Sequence, residues 1–171
     1  TSIMEGVTLN FHEEGTTTLE VTNDTETIKS LIKDFISSYN DAMSLAETTS
    51  KVELGSSEED IETLGVLQGD GMVHEIRSKS RSILTRLESD PNNLDQDFNT
   101  LQSIGVWTSG RENRISIVDE ERLDDALANH FDELEDLFRD HEAGIMNRME
   151  DYTDGLISPL EGQIVNRRTN L

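Results

Sequence analysis

The clearest pattern along the chain is a helical repeat of apolar residues that begins after Asn23. These residues recur at spacings of three and four, as expected for one face of an amphipathic helix. They are Ile28, Leu31, Ile32, Phe35, Ile36, Tyr39 and Met43. Either Asn23 or Asp24 can cap the helix, and Glu26 lies three residues after Asn23, the spacing of a capping box. The pattern predicts a long first helix.

Four further helices are predicted from shorter repeats of the same kind. Asp70, Asp119 and Asp132 occupy N-cap positions for three of them, and Gly144 precedes the fourth. Their apolar positions are Met72, Val73, Ile76, Ile83, Leu84 and Leu87; Leu123, Ala126 and Leu127; Leu134, Leu137 and Phe138; and Ile145, Met149, Tyr152 and Leu156. Residues 158–171 open with the serine, proline and glutamate of one more helix start.

Alternating apolar residues predict two β-hairpins. The first joins Ile3, Val7, Leu9 and Phe11 to Leu19 and Val21. Since two strands alone are marginally stable, we expect the sheet partners of this hairpin to precede Thr1. The second hairpin spans about 104–118, and we expect its Trp107 to pack in the core against a helix. Residues 47–62 lack periodicity and are predicted to be an exposed connector.

The composition limits both the core and the partners. The chain has 171 residues, of which 36 are acidic and 14 basic, giving a net charge of −22 with neutral histidines. Such a surface repels a phosphate backbone, so the chain is not predicted to bind nucleic acid. Hydrophobic residues make up 33%, and adding the 11 glycines still leaves the total below the roughly 45–50% usual for globular domains. Long helices that each bury one stripe are therefore favoured over a thick core.

The charge is distributed unevenly. Residues 119–154 contain 14 acidic and three basic residues, whereas residues 70–87 contain four basic and two acidic residues. We hypothesise that this basic helix lies beside the acidic C-terminal helices. Exposed ion pairs contribute only ~0–1 kcal/mol each, so such pairing would set orientation more than stability.

No group of residues indicates catalysis, a metal or a cofactor. The chain has no cysteine, which excludes disulfides and thiolate chemistry. The four histidines are His12, His74, His130 and His141. None of them forms the i, i+4 pair typical of zinc sites. Residues 90–101 resemble a calcium loop, but Asp95 stands where glycine is needed and Leu101 where a bidentate glutamate is needed.

Carboxylate pairs and membrane segments give no further signal. Pairs such as Asp124 and Asp125 are too numerous to indicate a glycosidase, and solvated helix faces account for them better. No apolar run approaches the ~18 residues that a membrane span needs. The first residues, 1–5, lack the charged and apolar regions of a signal peptide.

Several segments in order resemble the flagellar filament cap protein family, also called hook-associated protein 2. They are Gly6-Val7-Thr8-Leu9 with Leu19-Glu20-Val21, Phe35-Ile36-Ser37-Ser38-Tyr39-Asn40, Gly65-Val66-Leu67-Gln68-Gly69-Asp70, Leu101-Gln102-Ser103-Ile104-Gly105-Val106, Ile115-Ser116-Ile117-Val118-Asp119-Glu120 with Leu123 and Ala126-Leu127, Leu137-Phe138, and Gly162-Gln163-Ile164-Val165-Asn166-Arg167. The chain departs from the family at His130-Phe131, where asparagine-proline is common, and in the acidic segment 47–63.

The resemblance implies a mainly α (α+β) piece of a longer protein. Residues 1–22 would be the last strands of a β-rich head domain, and residues 23–171 an elongated helical leg domain with a β-hairpin at about 104–118. The family's terminal helices, which form coiled coils, are absent from this sequence. Family membership further implies a homo-oligomeric cap ring at the tip of the extracellular flagellum, with flagellin and hook–filament junction proteins as partners. Export would use the flagellar apparatus without a cleaved signal.

Two other classes of function stay open at this stage. A surface adhesin or glycan-binding tip module is the first alternative, although aromatic residues make up only 5% and a single Trp is poor for stacking sugars. The second is a hydrolase with paired carboxylates, for which Asp119, Asp124 and Glu135 would be the residues to substitute. We expect a structural assembly protein, not an enzyme.

Overall fold

The computed structural model describes residues 22–54, 61–64, 67–85, 98–108 and 113–158, with isolated positions 13, 15, 16, 18, 162 and 164. In this part of the chain the element order is α1 (Thr25–Ser50), β1 (Val52–Leu54), β2 (Ile61–Leu64), α2 (Gly71–Thr85), β3 (Val106–Thr108), β4 (Ile115–Ile117), α3 (Glu120–Asn129), α4 (Phe131–Arg139) and α5 (Ile145–Ile157). The fold is mainly helical with short antiparallel strands, as predicted. The strands predicted before residue 22, positions 90–97 of the calcium-like segment and the helix start at 159–161 lie outside the described residues.

Helix α1 begins at an aspartate cap and buries one face. Asp24 Oδ1 accepts a hydrogen bond from the Thr27 backbone N–H at 3.0 Å, and Oδ2 accepts one from the Thr27 hydroxyl at 2.7 Å. The bond from the Thr27 hydroxyl and then that from its N–H hold the pKa of Asp24 below its usual value. The predicted capping box of Asn23 and Glu26 is wrong, because Asp24 occupies the N-cap position. The buried residues of α1 are Ile32, Ile36, Tyr39 and Met43.

The predicted exposed connector at 47–62 is also wrong. Helix α1 continues to Ser50, and β1 and β2 then pair as an antiparallel hairpin with Val52 opposite Leu64. These strands have three and four residues, respectively. Their alternation is too short to be recognised within a segment rich in Ser and Glu.

The other predicted helix starts are mostly confirmed. Asp70 Oδ1 accepts the Met72 N–H at 2.8 Å at the start of α2, and Asp119 Oδ1 accepts the Arg122 N–H at 3.0 Å at the start of α3. Helix α5 begins directly after Gly144. In the two aspartate caps, the side-chain oxygen binds one of the backbone N–H groups that the first turn leaves unpaired.

The predicted cap at Asp132 is wrong. Helix α4 begins at Phe131, two residues earlier than a cap at Asp132 predicts, with His130 at the N-cap position and no side-chain hydrogen bond there. Asp132 and Glu133 lie inside the first turn instead. Negative side chains stabilise a first turn through the helix dipole, so the same residue types fit both positions.

A glycine-closed turn leads into β3. The Val106 N–H donates to the Leu101 carbonyl at 2.9 Å and the Gly105 N–H donates to the Gln102 carbonyl at 3.1 Å, the two bonds of a Schellman motif. Gly105 has a φ of +78°. A Cβ at this position would also clash with the backbone oxygen of Asp119. Both the backbone conformation and the close approach of Asp119 therefore require glycine.

Strands β3 and β4 pair antiparallel, with Val106 opposite Ile117 and Trp107 opposite Ser116. Val106 and Ile115 are buried in the core, whereas Trp107 is half-buried. Successive strand residues point to opposite faces, so Trp107 lies on the face away from Val106. Contrary to our expectation, Trp107 is not among the residues that pack against the core cluster.

Asn40 joins α1 to β4. Its Nδ2 donates to the Ile115 carbonyl at 2.8 Å, and its Oδ1 accepts the Ile115 N–H at 2.9 Å. The N–H and C=O of one strand residue point to the same side of the strand. The Asn40 amide therefore takes the place of a neighbouring strand and satisfies both groups in a partly buried position.

The turn between α4 and α5 is organised by Asp140. Its Oδ1 accepts the backbone N–H groups of Ala143 at 2.7 Å and Glu142 at 3.0 Å. These bonds, that of Ala143 foremost, lower the pKa of Asp140. Asn147 in turn donates to the carbonyls of Arg139 and Asp140 at the end of α4. The turn therefore satisfies backbone groups on both of its sides.

The core lies where α1, the β3–β4 hairpin and helices α3 to α5 meet. Its buried members are Ile32, Ile36, Tyr39, Met43, Leu84, Leu101, Ile104, Val106, Ile115, Leu123, Ala126, Leu127, Leu134, Leu137, Phe138 and Ile145. Phe35 meets Phe138 edge to face, with ring centroids 6.2 Å apart. Ile104 and Leu123 are fully buried.

Helix α2 packs against α1 and α5, so the basic helix does lie beside an acidic one, as hypothesised. Two of its cations point elsewhere, however. Arg81 donates to Asn113 Oδ1 at 2.6 Å. Burial raises the pKa of Tyr39 on α1, and the positive charges of Arg81 and Arg77 partly oppose that rise. The acidic helix α3 is instead tied to α1 through Lys29.

We expect Gly105→Ala to destabilise the fold more than Gly69→Ala. Both glycines have positive φ, but a Cβ at Gly69 meets nothing within 4 Å. Gly69→Ala should therefore cost about 1 kcal/mol of backbone strain, and Gly105→Ala at least ~2 kcal/mol because Asp119 must also move. Urea unfolding measures the two free energies. Equal losses would show that the Asp119 contact is unimportant.

Asn40→Ala should lower the free energy of unfolding by about 1–3 kcal/mol, because the Ile115 N–H and C=O lose their partners. Asn129→Ala is the matched control, since Asn129 is exposed and donates to Asp125 on its own helix. The control should change stability by less than ~0.5 kcal/mol. If both variants unfolded at the same urea concentration as the parent, Asn40 would not hold α1 to β4.

Candidate functional site

The described histidines do not form a reactive site. His130 stacks on Phe98 with ring centroids 4.4 Å apart, and its Nδ1 lies 3.7 Å from Glu133 Oε1. His74 and His141 are exposed, and His12 lies outside the described residues. Within the described part of the chain, no group of three His, Asp or Glu side chains could hold a metal ion.

The residues of the calcium-like loop are only partly described. Residues 90–97 lie outside the described ranges. Leu101, which stands where a calcium loop needs its last carboxylate, is 3% exposed and belongs to the core. This position therefore serves packing.

The paired carboxylates have separate structural partners. Asp124 and Glu120 both bind Lys29 Nζ, which raises the pKa of Lys29 and lowers that of Glu120. Asp125 accepts a hydrogen bond from Asn129 at 2.7 Å. Asp136 has a raised pKa, first because of partial burial and then because neighbouring acidic residues repel its charge. Solvated helix faces and ion pairs account for these carboxylates.

The Asp119 carboxylate, considered for hydrolysis, is occupied as the cap of α3. Glu135 pairs with Arg139 at 3.2 Å on one exposed face of α4. Asp124 lies on α3 and is paired with Lys29. The three carboxylates therefore have three different roles in the fold.

The feature that stands out is an open apolar groove of about 380 Å³ between α1 and α4. It is lined by Ile28, Leu31, Ile32, Phe131, Leu134, Glu135, Phe138, Arg139 and Met146. Leu31 is 61% exposed, a large fraction for a leucine. Exposed apolar surface of this kind marks an interaction site more often than a reactive one.

Packing on both sides of the groove explains its position. Ile32 and Leu134 turn into the core below the groove, and the edge-to-face contact of Phe35 with Phe138 joins the two helices there. Leu31 is one residue before Ile32 and so points about 100° away from the core. The groove is therefore left open beside a well-packed core.

Sequence reasoning missed this groove. It counted Leu31 with the buried face of α1, because spacing alone cannot separate two adjacent apolar faces of a helix. The available signal was the pair of neighbouring apolar positions Leu31-Ile32, repeated at Phe35-Ile36. A helix that buries one apolar stripe does not need apolar residues at adjacent positions, so these pairs indicate a second apolar face.

None of the helices in the described part of the chain is both long enough and apolar enough to span a membrane.

Comparison with known proteins gives a consistent family. The family described as "Flagellar hook-associated protein 2 C-terminus" matches residues 1–171. Flagellar hook-associated protein 2 of Borreliella burgdorferi is 25% identical over 98% of the chain. Polar flagellar hook-associated protein 2 of Vibrio parahaemolyticus is 29% identical, and flagellar hook-associated protein 2 of Thermotoga maritima 30% identical, each over 86% of the chain.

The aligned parts make up 30%, 20% and 26% of those three relatives, so the chain spans less than a third of the length of each. No solved structure matches the chain significantly. Because the family match covers every residue from 1 to 171, the chain belongs to the flagellar hook-associated protein 2 family and corresponds to its C-terminal part.

Proposed function

We propose that this chain is part of the filament cap at the distal end of the bacterial flagellum, where it supports flagellin insertion and folding as the filament grows. The observation that carries the proposal is the family match over residues 1–171. The relatives' names place them at the flagellar hook, and the cap role rests on the resemblance described above. The protein would act outside the cell, after export without a cleaved signal.

In this proposal, residues 1–22 are the last strands of a head domain and residues 23–171 form a leg domain. The cap is a ring of identical subunits that contacts flagellin and the hook–filament junction proteins. Its action is mechanical: packed helices hold the subunit's shape, while weak interfaces between subunits rearrange as each flagellin is added. No reaction step or cofactor is needed for this action.

The charge of the chain supports such interfaces. A net charge of −22 makes free subunits repel one another over distances of about 8 Å at physiological salt. Assembly then depends on specific apolar contacts between subunits that overcome this repulsion. The family match does not favour the alternative of an adhesin or glycan-binding module, and nothing in the described geometry supports a sugar site, so we do not propose it.

Deletion of the gene that encodes this chain tests the proposal. The cells should lack filaments while releasing unpolymerised flagellin into the medium, because flagellin subunits would leave the channel without being inserted. Electron microscopy of cells and immunoblots of the medium measure both effects. A plasmid copy of the gene is the control and should restore filaments.

Filaments of normal length on the deleted cells would contradict the proposal. Loss of filaments without flagellin in the medium would also contradict it, because it would place the defect in export instead of at the tip.

A further inference from the structure

Helix α1 carries two parallel rows of residues with heptad spacing. The first, here called the core row, is buried and consists of Ile32, Ile36, Tyr39 and Met43. The second, here called the outer row, consists of Ile28, Leu31, Phe35, Ser38, Ala42, Leu45 and Thr49. Positions in the outer row are separated by three and four residues in strict alternation, which is the a/d spacing of a coiled coil. Each core-row residue follows an outer-row position by one residue, so the rows lie about 100° apart around the helix.

The outer row is open to solvent in part: Ile28 and Phe35 are half-buried and pack against the core, whereas four of its other positions are exposed. Leu31 is 61% exposed and Leu45 is 65% exposed. Ser38 and Ala42 between them are also exposed, and their small side chains permit a close approach of another backbone. At the N-terminal end of the row, the 380 Å³ groove continues this surface toward α4.

The dimensions fit a helix. At about 1.5 Å per residue, the stretch 28–49 is roughly 30 Å long, or six turns. A row with a period of 3.5 residues stays aligned with a second helix over that length, whereas a strand or a compact ligand would contact only part of it. The other exposed large apolar residues of the described chain lie outside α1 and are not part of this row; they are Leu67, Val118, Ile157 and Ile164.

The charges beside the outer row favour a basic partner. On the solvent side, Asp34 and Asp41 are exposed and occupy the positions one residue before Phe35 and Ala42. In a coiled coil, these flanking positions form ion pairs with the facing helix. Across the groove, Glu135 of α4 is already paired with Arg139 at 3.2 Å, so the charge that favours a basic partner comes from Asp34 and Asp41. A second copy of this chain, with its net charge of −22, fits this surface poorly.

We propose that the outer row of α1 binds an α-helix that presents apolar residues at heptad spacing and carries Lys or Arg at the flanking positions. This inference is argued from the spacing and charge of α1 and does not depend on the cap function. The occupant would lie along 28–49 and fill the groove beside α4. Apolar contacts at Leu31 and Leu45 provide affinity, and Asp34 and Asp41 select the charge of the partner.

Two synthetic 21-residue helical peptides test the proposal with the 171-residue chain. Both carry leucine at every a and d position; one has lysine at the flanking positions and the other has glutamate. Fluorescence anisotropy of each labelled peptide measures its affinity. The lysine peptide should bind at least tenfold more tightly than the glutamate peptide, and its affinity should fall with added salt.

Variants of the chain separate docking on the outer row from general attraction to an acidic protein. Leu31→Glu with Leu45→Glu adds negative charge, so non-specific attraction of the lysine peptide would rise, whereas docking on the row should weaken at least tenfold. Ile157→Glu is the matched control because Ile157 is 58% exposed on another helix. It should leave the affinity unchanged.

The milder variant Leu31→Asn tests the same contact with no added charge. Circular dichroism confirms that each variant is folded.

Three results would overturn the proposal. The first is equal affinity for the two peptides. The second is unchanged binding in the folded leucine variants. The third is a dimer of the chain alone, seen by light scattering and abolished by Leu31→Glu, because the outer row would then bind a second copy of the chain.

Discussion

The structure depends on the position of α1 relative to the β3–β4 hairpin and helices α3 to α5. The core row of α1 supplies one wall of the hydrophobic core, and Asn40 fixes its rotation by binding both backbone groups of Ile115. On the neighbouring face, Lys29 binds Glu120 and Asp124 of α3. Because these contacts hold one side of α1, the outer-row residues Leu31, Ser38, Ala42 and Leu45 are turned toward solvent.

This arrangement accounts for a chain with few hydrophobic residues and strong negative charge. Each helix buries one stripe, and the partly buried Asn40 amide is paired with both backbone groups of Ile115. The acidic residues cap helices, bind Lys29 or face solvent, so the core itself contains little charge. The result is a surface on which several apolar residues can stay exposed, which suits the proposed role in assembly.

Much of this fold could be predicted from sequence, for physical reasons that differ between elements. The caps at Asp70 and Asp119 were predictable because a side-chain oxygen before an apolar repeat has few other roles. The cap at Asp132 was mispredicted because aspartate is also stable inside a first turn, where α4 places it. The β1–β2 hairpin was missed because strands of three and four residues give little alternation to detect.

The candidate site was less predictable, because it depends on contacts distant in sequence. Nothing near Asn40 indicates that it binds Ile115, 75 residues later. The exposure of Leu31 likewise can be deduced only when the position of α4 beside α1 is known. The paired apolar positions along α1 were visible, but which row faces the core is decided by tertiary packing.

Hydrogen exchange of the 171-residue chain, followed by mass spectrometry, tests most directly whether α1 is held as one unit with the core. We expect the amides from Ile32 to Met43 to exchange as slowly as those around Leu123 in α3, because both require global unfolding. If the α1 amides exchanged many times faster than those of α3, α1 would open locally, and its core row and Asn40 would not be the contacts on which the fold depends.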